Sequence, residues 1–497
     1  MTPTTTSADI RVTFWGAART VTGSMHLVEV GKHKLLLDCG LYQGRRAEAW
    51  QRNKDFPFVP SDIDAVVLSH AHIDHCGNLP NLVKRGFKGP IYCTPATRDL
   101  IAVMLADSAK IQEEDASHLN RHRRPGEPTI ESLYDFRDVR RTMNLTRSVP
   151  YDTEHPIARN VTARFVDAGH LLGSAMVHLK VADVASSPLA GRASDGLGDP
   201  ARARPANEGK TCTITFTGDL GRKDVAILRD PAPIPPAELL ISESTYGGRN
   251  HPGVEMLADD LCHVVERTSA RGGRLLVPAF SLGRTQTIVF HLHQLISAGR
   301  LKRLPIFVDS PLSAAATEVF RLHPECFDEE TSLLLYKDSG LFGEELVQYT
   351  RTVEESKRIN DCREPCIIIA ASGMCESGRI LHHLKRNVGD ARNTVLIIGF
   401  QAQHTLGRRL VEKRQELRIL NTTCPLNAEV AVLNGFSGHA GRDEILAMLT
   451  PLADPGRKVR LVHGDPDQAE LLKATLLERG FVDVAIPDRG ESVTLAG

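Results

Sequence analysis

The sequence predicts an α/β protein with more than one domain, and two patterns along the chain support this prediction. Up to about residue 246, and again after about residue 436, short apolar strands are followed by loops that carry a histidine or an aspartate. Between these stretches, apolar strands alternate with helical segments, which is typical of a largely parallel sheet. A chain of 497 residues also exceeds the size of one ordinary hydrophobic core.

Composition excludes several classes of protein. Charged residues make up 24% of the chain and the net charge is -1, so the chain is neither disordered nor broadly basic, and nucleic-acid binding would have to come from local patches. The ten cysteines form no CxxC pair, which argues against a zinc ribbon and a disulfide framework. The polar N-terminus and the lack of a membrane-length apolar run predict a soluble, cytoplasmic protein.

The first part of the chain predicts strands separated by glycine-bearing turns, then a mostly helical segment from Ala96 to Asn144. A basic cluster at 121–124 indicates either a phosphate contact or a solvated helix end, and the sequence leaves both open. Residues 184–210, rich in Ala, Gly, Ser and Pro, predict an inserted surface loop. The early strands are expected at Arg11–Trp15, His26–Val30 and Lys34–Asp38.

The second part of the chain changes pattern near Gly247 and returns to short strands and helices after Phe436. Strands are expected at Gly273–Phe280, Pro305–Asp309, Cys366–Ala370, Thr394–Phe400 and Lys458–Val462. Helices are expected at Leu282–Ala298 and Arg379–Asn387.

One short run concentrates metal-binding chemistry. Ser69 to His75 reads SHAHIDH, so three imidazoles and a carboxylate lie within six residues, and these groups suit zinc at a hydrolytic site. The run follows a predicted buried strand, Ala65–Leu68, and precedes a predicted helix at Asn78–Arg85. Ligands on such a loop can converge on one point.

Four further side chains occupy the same kind of position, directly after an apolar strand: Asp38, His170, Asp219 and His463. Singly, each would be an ordinary polar turn residue. Because strand ends on one edge of a sandwich can direct ligands inward, their shared placement predicts that they join the first cluster.

In this order, the ligand-type residues resemble the set of the metallo-β-lactamase fold hydrolases. Three further motifs are similar to those of the β-CASP subgroup, which processes nucleic acids: SESTYG at 242–247, FSGHA at 436–440 and LVHG at 461–464. The resemblance implies a metallo-β-lactamase αβ/βα sandwich built from residues 1–246 and 437–497, with a β-CASP domain, 247–436, inserted into it. The active site is then expected in the cleft between the two domains.

The resemblance also implies roles for individual residues. Two zinc ions are expected, one held by His70, His72 and His170, the other by Asp74, His75 and His463, with Asp219 bridging them. Catalytic roles are implied for His439, Glu243, Asp38 and Asp74: Asp38 would orient ligands, and His439, hydrogen-bonded to Glu243, would handle a proton. Two such metals can clamp a phosphodiester and supply hydroxide near neutral pH.

Phosphate contacts are expected from Gly- and Ser-bearing strand-to-helix joints, where a helix N-terminus favours an anion. The residues predicted to bind substrate are Ser372, Gly373, Ser377, Arg379, Ser281, Arg284 and Arg408.

The leading hypothesis is a zinc-dependent ribonuclease that acts on single-stranded RNA. His463 favours RNA because DNA-repair relatives typically carry Val at that motif. Alternatives are hydrolysis of a small ester or thioester, or a non-catalytic scaffold subunit, although such subunits have lost metal ligands. Endonuclease or exonuclease action is left open, as is a homodimer.

Overall fold

The structure is a computed structural model, and it describes residues 10–44, 46–121, 123–124, 129–182, 211–337, 340–342, 345–399, 401–402 and 404–495. The predicted loop at 184–210 lies outside the described residues, and so does His122 of the basic cluster. Within the described ranges, no helix combines the length and the apolar character needed to cross a bilayer.

The first sheet is built almost wholly from the start of the chain and has the order β22-β1-β2-β3-β4-β5-β6. Neighbours from β22 to β3 are antiparallel and those from β3 to β6 are parallel. Its strands are β1 (Ile10–Phe14), β2 (His26–Val30), β3 (His33–Leu37), β4 (Ala65–Val67), β5 (Ile91–Cys93), β6 (Thr146–Ser148) and β22 (Ser492–Leu495).

The second sheet repeats this arrangement, with the order β21-β20-β11-β10-β9-β8-β7. Neighbours from β21 to β10 are parallel and those from β10 to β7 are antiparallel. Its strands are β7 (His155–Ala158), β8 (Val161–Asp167), β9 (Ala175–Ala182), β10 (Thr211–Phe216), β11 (Leu239–Glu243), β20 (Lys458–Val462) and β21 (Asp483–Ala485).

The two sheets pack face to face as a sandwich. Alternate side chains of both, such as Phe14, Leu37, Phe165 and Phe216, form one buried core between them. A second core lies under the helices outside the first sheet, and a third lies under those outside the second sheet. The helices of this domain are α1 (Arg46–Lys54), α2 (Ile73–Cys76), α3 (Leu79–Lys84), α4 (Pro95–Arg121), α5 (Phe136–Leu145), α13 (Arg442–Leu449) and α14 (Pro466–Glu478).

The inserted domain has a six-stranded sheet of order β14-β13-β15-β12-β16-β19, and all of its pairs are parallel. This confirms the parallel sheet expected from strand and helix alternation, and each face carries its own apolar core. Its strands are β12 (Leu275–Pro278), β13 (Ile306–Asp309), β14 (Val347–Tyr349), β15 (Ile367–Ala370), β16 (Thr394–Ile397) and β19 (Glu429–Val432), with a separate ribbon of β17 (Glu416–Ile419) and β18 (Thr422–Pro425).

Helices connect these parallel strands. They are α6 (Leu257–Ala270), α7 (Arg284–Ser297), α8 (Pro311–Leu322), α9 (Glu329–Lys337), α10 (Val353–Arg358), α11 (Ile380–Asn387) and α12 (Leu406–Val411). Short 3₁₀ turns lie at Pro60–Asp62, Pro324–Cys326, Ile359–Asp361, Asn434–Phe436 and Thr450–Leu452.

Several predicted element ends differ from the structure. The helical segment expected from Ala96 to Asn144 is two helices, because Asp135 starts a new one with a capping box and accepts the backbone N–H groups of Arg137 and Asp138. The strand expected to reach Phe400 ends at Ile397. The chain changes from the sandwich sheets to the parallel sheet between Glu243 and Leu275 and returns between 432 and 458, so the boundaries at 246 and 436 stay a prediction.

Candidate functional site

The candidate site lies where strands of both sandwich sheets end at one edge. β3 and β4 are parallel neighbours, so Asp38 and the loop after Val67 emerge side by side. In the second sheet, β10, β11 and β20 are also parallel, and β8 runs in the same direction as β10 because β9 is antiparallel to both. The loops after these strands carry His170, Asp219 and His463, so the topology brings them to the same edge.

Four of the predicted ligands form one compact group. The Nε2 atom of His70 lies 3.0 Å from Nδ1 of His72, which in turn lies 3.2 Å from Nε2 of His170. The Oδ2 atom of Asp219 is 3.4 Å from Nε2 of His70 and 3.5 Å from Nε2 of His170. Zinc–nitrogen bonds of 2.0–2.1 Å in a tetrahedron separate ligand atoms by about 3.3 Å, so these spacings fit one ion.

The other oxygen of Asp219 faces a second group. Its Oδ1 atom is 3.3 Å from Nε2 of His75 and 3.3 Å from Nδ1 of His463. The Nε2 atoms of His75 and His463 are 3.2 Å apart, and Nε2 of His463 is 3.3 Å from Oδ2 of Asp74. This buried Oδ1 accepts no hydrogen bond from any described residue, which is a costly arrangement unless a cation lies beside it.

The charges of the site also suit cations. Burial lowers the pKa of His70, His72 and His170, and the neutral imidazole is the form that coordinates a metal. Burial opposes ionisation of Asp219, but the neighbouring imidazoles, His463 foremost, hold its pKa well below the ordinary value. Burial also opposes protonation of His75, yet Asp219 and Asp38 raise its pKa well above the ordinary value. The carboxylates of Asp219 and Asp38 therefore favour positive charge beside them.

Asp38 lies behind the second group and touches no open space. Its Oδ2 atom accepts from Nδ1 of His75 at 2.7 Å and from Oγ of Ser69 at 2.9 Å, while its Oδ1 accepts the Ser69 N–H at 2.8 Å. The residue is fully buried, and its φ is 59°. These contacts fix the orientation and tautomer of the His75 ring, as expected of a carboxylate behind a metal ligand.

Two supporting contacts were missed in the sequence. The hydroxyl of Thr245 lies 3.1 Å from Nδ1 of His463, and the carbonyl of Gly438 accepts from Nδ1 of His170 at 3.1 Å. Both residues belong to motifs quoted for the resemblance, so the signal was present. The sequence does not show, however, that Thr245 orients the ring of His463 and that Gly438 orients the ring of His170.

His439 and Glu243 form a pair beside the first group. Nδ1 of His439 lies 3.2 Å from both carboxylate oxygens of Glu243, whose Oε1 also accepts the Leu220 N–H at 2.6 Å. The ring centroid of His439 is 4.5 Å from that of His170. Burial lowers the pKa of His439, but Glu243 and Asp219 raise it above the ordinary value. The two carboxylates therefore favour the protonated form of the His439 imidazole next to the ligand cluster.

Arg284 is the other charged side chain at this place. It is the first residue of α7, and its guanidinium packs directly on Gly438, where an added Cβ would lie 2.2 Å from Nη2. Burial lowers the pKa of Arg284 to about 10, and the guanidinium has no hydrogen bond or ion pair with any described residue. A desolvated, unpaired cation at a helix N-terminus is suited to bind an anion.

The remaining residues predicted to bind substrate have partners within their own domain. The Ser372 hydroxyl accepts the N–H groups of Glu376 and Ser377, and the Gly373 carbonyl accepts from Gln401. The Ser281 hydroxyl lies 3.1 Å from that of Ser310.

The two other predicted arginines are also paired. Arg379 donates to Asp309 at 2.7 Å, to Thr350 and to the Arg351 carbonyl, and Arg408 donates to Glu412 at 2.9 Å. Arg284 is thus the predicted arginine without a partner in the described part of the chain.

Comparison with protein families finds three matching models along the chain. Residues 18–166 match the model of the metallo-beta-lactamase superfamily, and residues 285–410 match the Beta-Casp domain. Residues 423–487 match the model described as a Zn-dependent metallo-hydrolase RNA specificity domain. These matches confirm the predicted fold class.

Similar proteins cover almost the whole chain. Ribonuclease TTHA0252 from Thermus thermophilus is 34% identical over 487 residues, which is 97% of this chain and 100% of that protein. The transcription termination factor FttA from Methanosarcina mazei is 30% identical over 98% of this chain and 72% of its own length. FttA from Methanocaldococcus jannaschii is 29% identical, over 92% of this chain and 67% of its own length.

Proposed function

The chain belongs to the metallo-β-lactamase superfamily and carries its β-CASP domain, and from this premise we propose that it is a zinc-dependent ribonuclease acting on single-stranded RNA. The observation that carries the proposal is the position of Asp219. Each of its carboxylate oxygens lies within 3.5 Å of the imidazole nitrogens of a separate group of ligands. This is the arrangement needed for two cations that share one carboxylate.

Seven residues would hold the two zinc ions: His70, His72 and His170 the first, Asp74, His75 and His463 the second, and Asp219 both. Held by these residues, the metal pair would supply charge stabilisation for the phosphodiester and a hydroxide nucleophile near neutral pH. Asp38 would keep the His75 ring in the tautomer that leaves Nε2 free for the metal, because its carboxylate accepts from Nδ1.

His439 would act on the leaving oxygen. The Glu243 carboxylate accepts from Nδ1, which keeps the ring charged and leaves Nε2 directed away from the pair. A proton on Nε2 can be donated to the departing ribose oxygen when the phosphodiester bond breaks. Glu243 is the positioning residue in this scheme, since the Leu220 N–H fixes its own carboxylate at 2.6 Å.

Arg284 would bind the phosphate next to the scissile bond. Its guanidinium lies on Gly438, the residue directly before His439, and its charge has no carboxylate partner among the described residues. A phosphate oxygen would supply that partner and would also face the N-terminus of α7, whose dipole favours an anion. Further substrate contacts would come from Ser372, Gly373, Ser377 and Ser281. Arg379 and Arg408 would contribute less to phosphate binding, because each is already paired with a carboxylate.

The substrate class is proposed from two comparisons. A relative matched over 97% of this chain is named a ribonuclease, and the model matched by residues 423–487 is described as an RNA specificity domain. A crevice between two domains admits a single strand more readily than a duplex. We accordingly propose RNA processing or decay in the cytoplasm; a homodimer stays a prediction.

The test combines metal analysis with cleavage of end-labelled nucleic acids by the purified, chelator-free protein. We expect about two zinc ions per chain and cleavage of single-stranded RNA in preference to duplex DNA, weakening as salt rises. Less than one metal per chain would contradict the metal assignment. Equal rates on single-stranded RNA and single-stranded DNA of one sequence would contradict the RNA assignment. Hydrolysis of a thioester with no action on RNA would favour the small-substrate alternative.

A further inference from the structure

Phe280 is an exposed aromatic side chain in an unusual position. It follows the buried strand β12, yet 46% of its surface is exposed. Among the described phenylalanines and tryptophans that are this exposed, it is the one in the inserted domain; Trp50 and Phe136 lie in the sandwich. A single exposed apolar residue is common on protein surfaces, so its immediate surroundings decide whether it matters.

The Phe280 ring packs against the turn that follows β15. A Cβ added to Gly373 would be 2.8 Å from Cδ2, 2.9 Å from Cε2 and 3.2 Å from Cγ of this ring. The ring can therefore contact the turn because Gly373 has no side chain. β12 and β15 are parallel neighbours, with Pro278 opposite Ala370, so both loops emerge at one edge. The backbone at Gly373 therefore supports one side of the Phe280 ring and restricts its movement.

The same loop reaches the ligand cluster of the sandwich. The N–H and the hydroxyl of Thr285 both donate to the Phe280 carbonyl, at 3.3 and 2.8 Å, so Phe280 is folded back onto the first turn of α7. Gly283 lies against Leu171, which follows the ligand His170: an added Cβ would be 3.2 Å from Leu171 Cδ1. Arg284, one residue further, packs on Gly438. Phe280 and Arg284 therefore flank one helix end beside the candidate active site.

We propose that Phe280 is a stacking platform for a nucleobase of the substrate, close to the phosphodiester that is cleaved. This inference rests on the proposed ribonuclease function and adds a subsite to it. A single strand bound by the phosphate contact of Arg284 would present its bases beside that contact, and an aromatic face binds any base because every base has a π face. The loops that carry the ring and its supporting turn also carry hydroxyls, because Ser281 follows Phe280 and pairs with Ser310, and Ser372 precedes Gly373. Polar neighbours in the chain suit a nucleotide better than an apolar protein surface.

A double-mutant cycle between the enzyme and the RNA tests the subsite. The wild-type holoenzyme and Phe280→Ala are compared on one single-stranded RNA, either intact or with one abasic nucleotide moved along the positions around the cleavage site. At one position, the abasic nucleotide should lower wild-type kcat/KM by about 10-fold or more, the size expected for a lost stack. Phe280→Ala should lose a similar factor on intact RNA and show no further loss with the abasic nucleotide.

Two further variants separate stacking from folding. Phe280→Trp keeps a π face and should restore the discrimination between intact and abasic RNA. Phe136→Ala removes a comparably exposed ring, 58% accessible, from α5 of the sandwich, and it should behave as wild type. An abasic penalty as large in Phe280→Ala as in wild type, or no penalty at any position in wild type, would overturn the subsite and leave the ribonuclease proposal standing. A wild-type enzyme that cleaves no RNA would overturn both.

Discussion

The edge of the sandwich and the edge of the inserted sheet approach each other where Arg284 packs on Gly438, but their polar groups are satisfied in different ways. At the sandwich edge, imidazoles and carboxylates lie 3.0–3.5 Å from one another, and Asp219 Oδ1 accepts no hydrogen bond from a described residue. At the edge of the inserted sheet, the hydroxyl of Ser372 and the guanidinium of Arg379 have partners in their own domain.

This difference separates two kinds of functional group. The imidazoles and carboxylates of the sandwich edge have the spacing of metal ligands. Ligands of one metal site depend on one another, so removal of one side chain should affect metal binding by all of them. At the edge of the inserted sheet, the residues predicted to bind substrate have partners in their own domain, except Arg284, whose charge lacks a partner in the described residues. Mutations at this edge should have independent effects on cleavage. Loss of Arg379 or Arg408, which are paired, should reduce cleavage less than loss of Arg284. Mutations at the two edges should therefore differ in the size of their effect on cleavage.

Loss of a ligand should have the largest effect. His72→Ala removes the nitrogen that lies within 3.2 Å of both His70 and His170, so we expect cleavage to fall below detection and metal content to drop below wild type. Elemental analysis and the RNA assay measure this. His382→Ala, an exposed histidine on α11, is the matched control and should change neither. A variant with wild-type metal content and activity would show that His72 is not a ligand.

His439→Ala should separate chemistry from binding. Nδ1 of His439 lies 3.2 Å from Glu243 and 3.9 Å from Oδ2 of Asp219. With a proton role rather than a ligand role, the variant should keep its zinc and its RNA affinity while cleavage slows about 10²–10⁴-fold. Single-turnover cleavage, a binding titration and metal analysis report the three quantities. If the variant instead loses a metal ion, the roles assigned to His439 and His463 are wrong.

Glu243→Gln should slow cleavage roughly 10- to 100-fold and change its pH dependence. The carboxylate raises the pKa of His439, which keeps the acid form of the ring at higher pH. Activity that needs this acid form falls as pH rises through that pKa, so the alkaline limb of the kcat profile should move to lower pH in the variant. Gln keeps an oxygen for the Leu220 N–H, which limits structural damage. An unmoved alkaline limb would contradict the proton role.

Arg284→Ala should lower kcat/KM on RNA by about 10-fold, which is typical of a lost charge-assisted hydrogen bond. It should also reduce the slope of log affinity against log salt by about 0.7, the value for one phosphate contact on a single strand. Arg408→Ala removes an exposed arginine already paired with Glu412 and serves as the matched variant, with an expected effect near 1-fold. Equal losses in the two variants would refute the distinction between paired and unpaired arginines.

Much of the fold follows from local sequence patterns. Strands β1 to β4 of the first sheet and β12, β13, β15 and β16 of the parallel sheet are predicted to within a few residues, because apolar periodicity reports which side of an element is buried. The short strands β5, β6, β14, β19 and β22 are not predicted. The split of the long helical segment at Asp135 was not predicted, since both halves have helical character and the break depends on a capping box.

The sequence by itself determined the identity of the groups at the site. His70, His72, Asp74 and His75 are close in the chain, and Asp38, His170, Asp219 and His463 follow strands, so chemistry and approximate location could be inferred from order alone. Motifs at Glu243 and His439 added a pair whose members are 196 residues apart.

The contacts that these groups make depend on the tertiary structure. The two oxygens of Asp219 face different clusters because four strands end at one edge, and that depends on pairing across hundreds of residues. Arg284, Arg379 and Arg408 look equivalent in sequence, since each begins or follows a glycine-bearing turn. Their difference lies in whether a carboxylate neutralises them: Glu412 at the end of the same helix pairs with Arg408, the distant Asp309 pairs with Arg379, and no described carboxylate pairs with Arg284. Partner geometry of this kind has no local signature, because it depends on contacts between segments far apart in the chain.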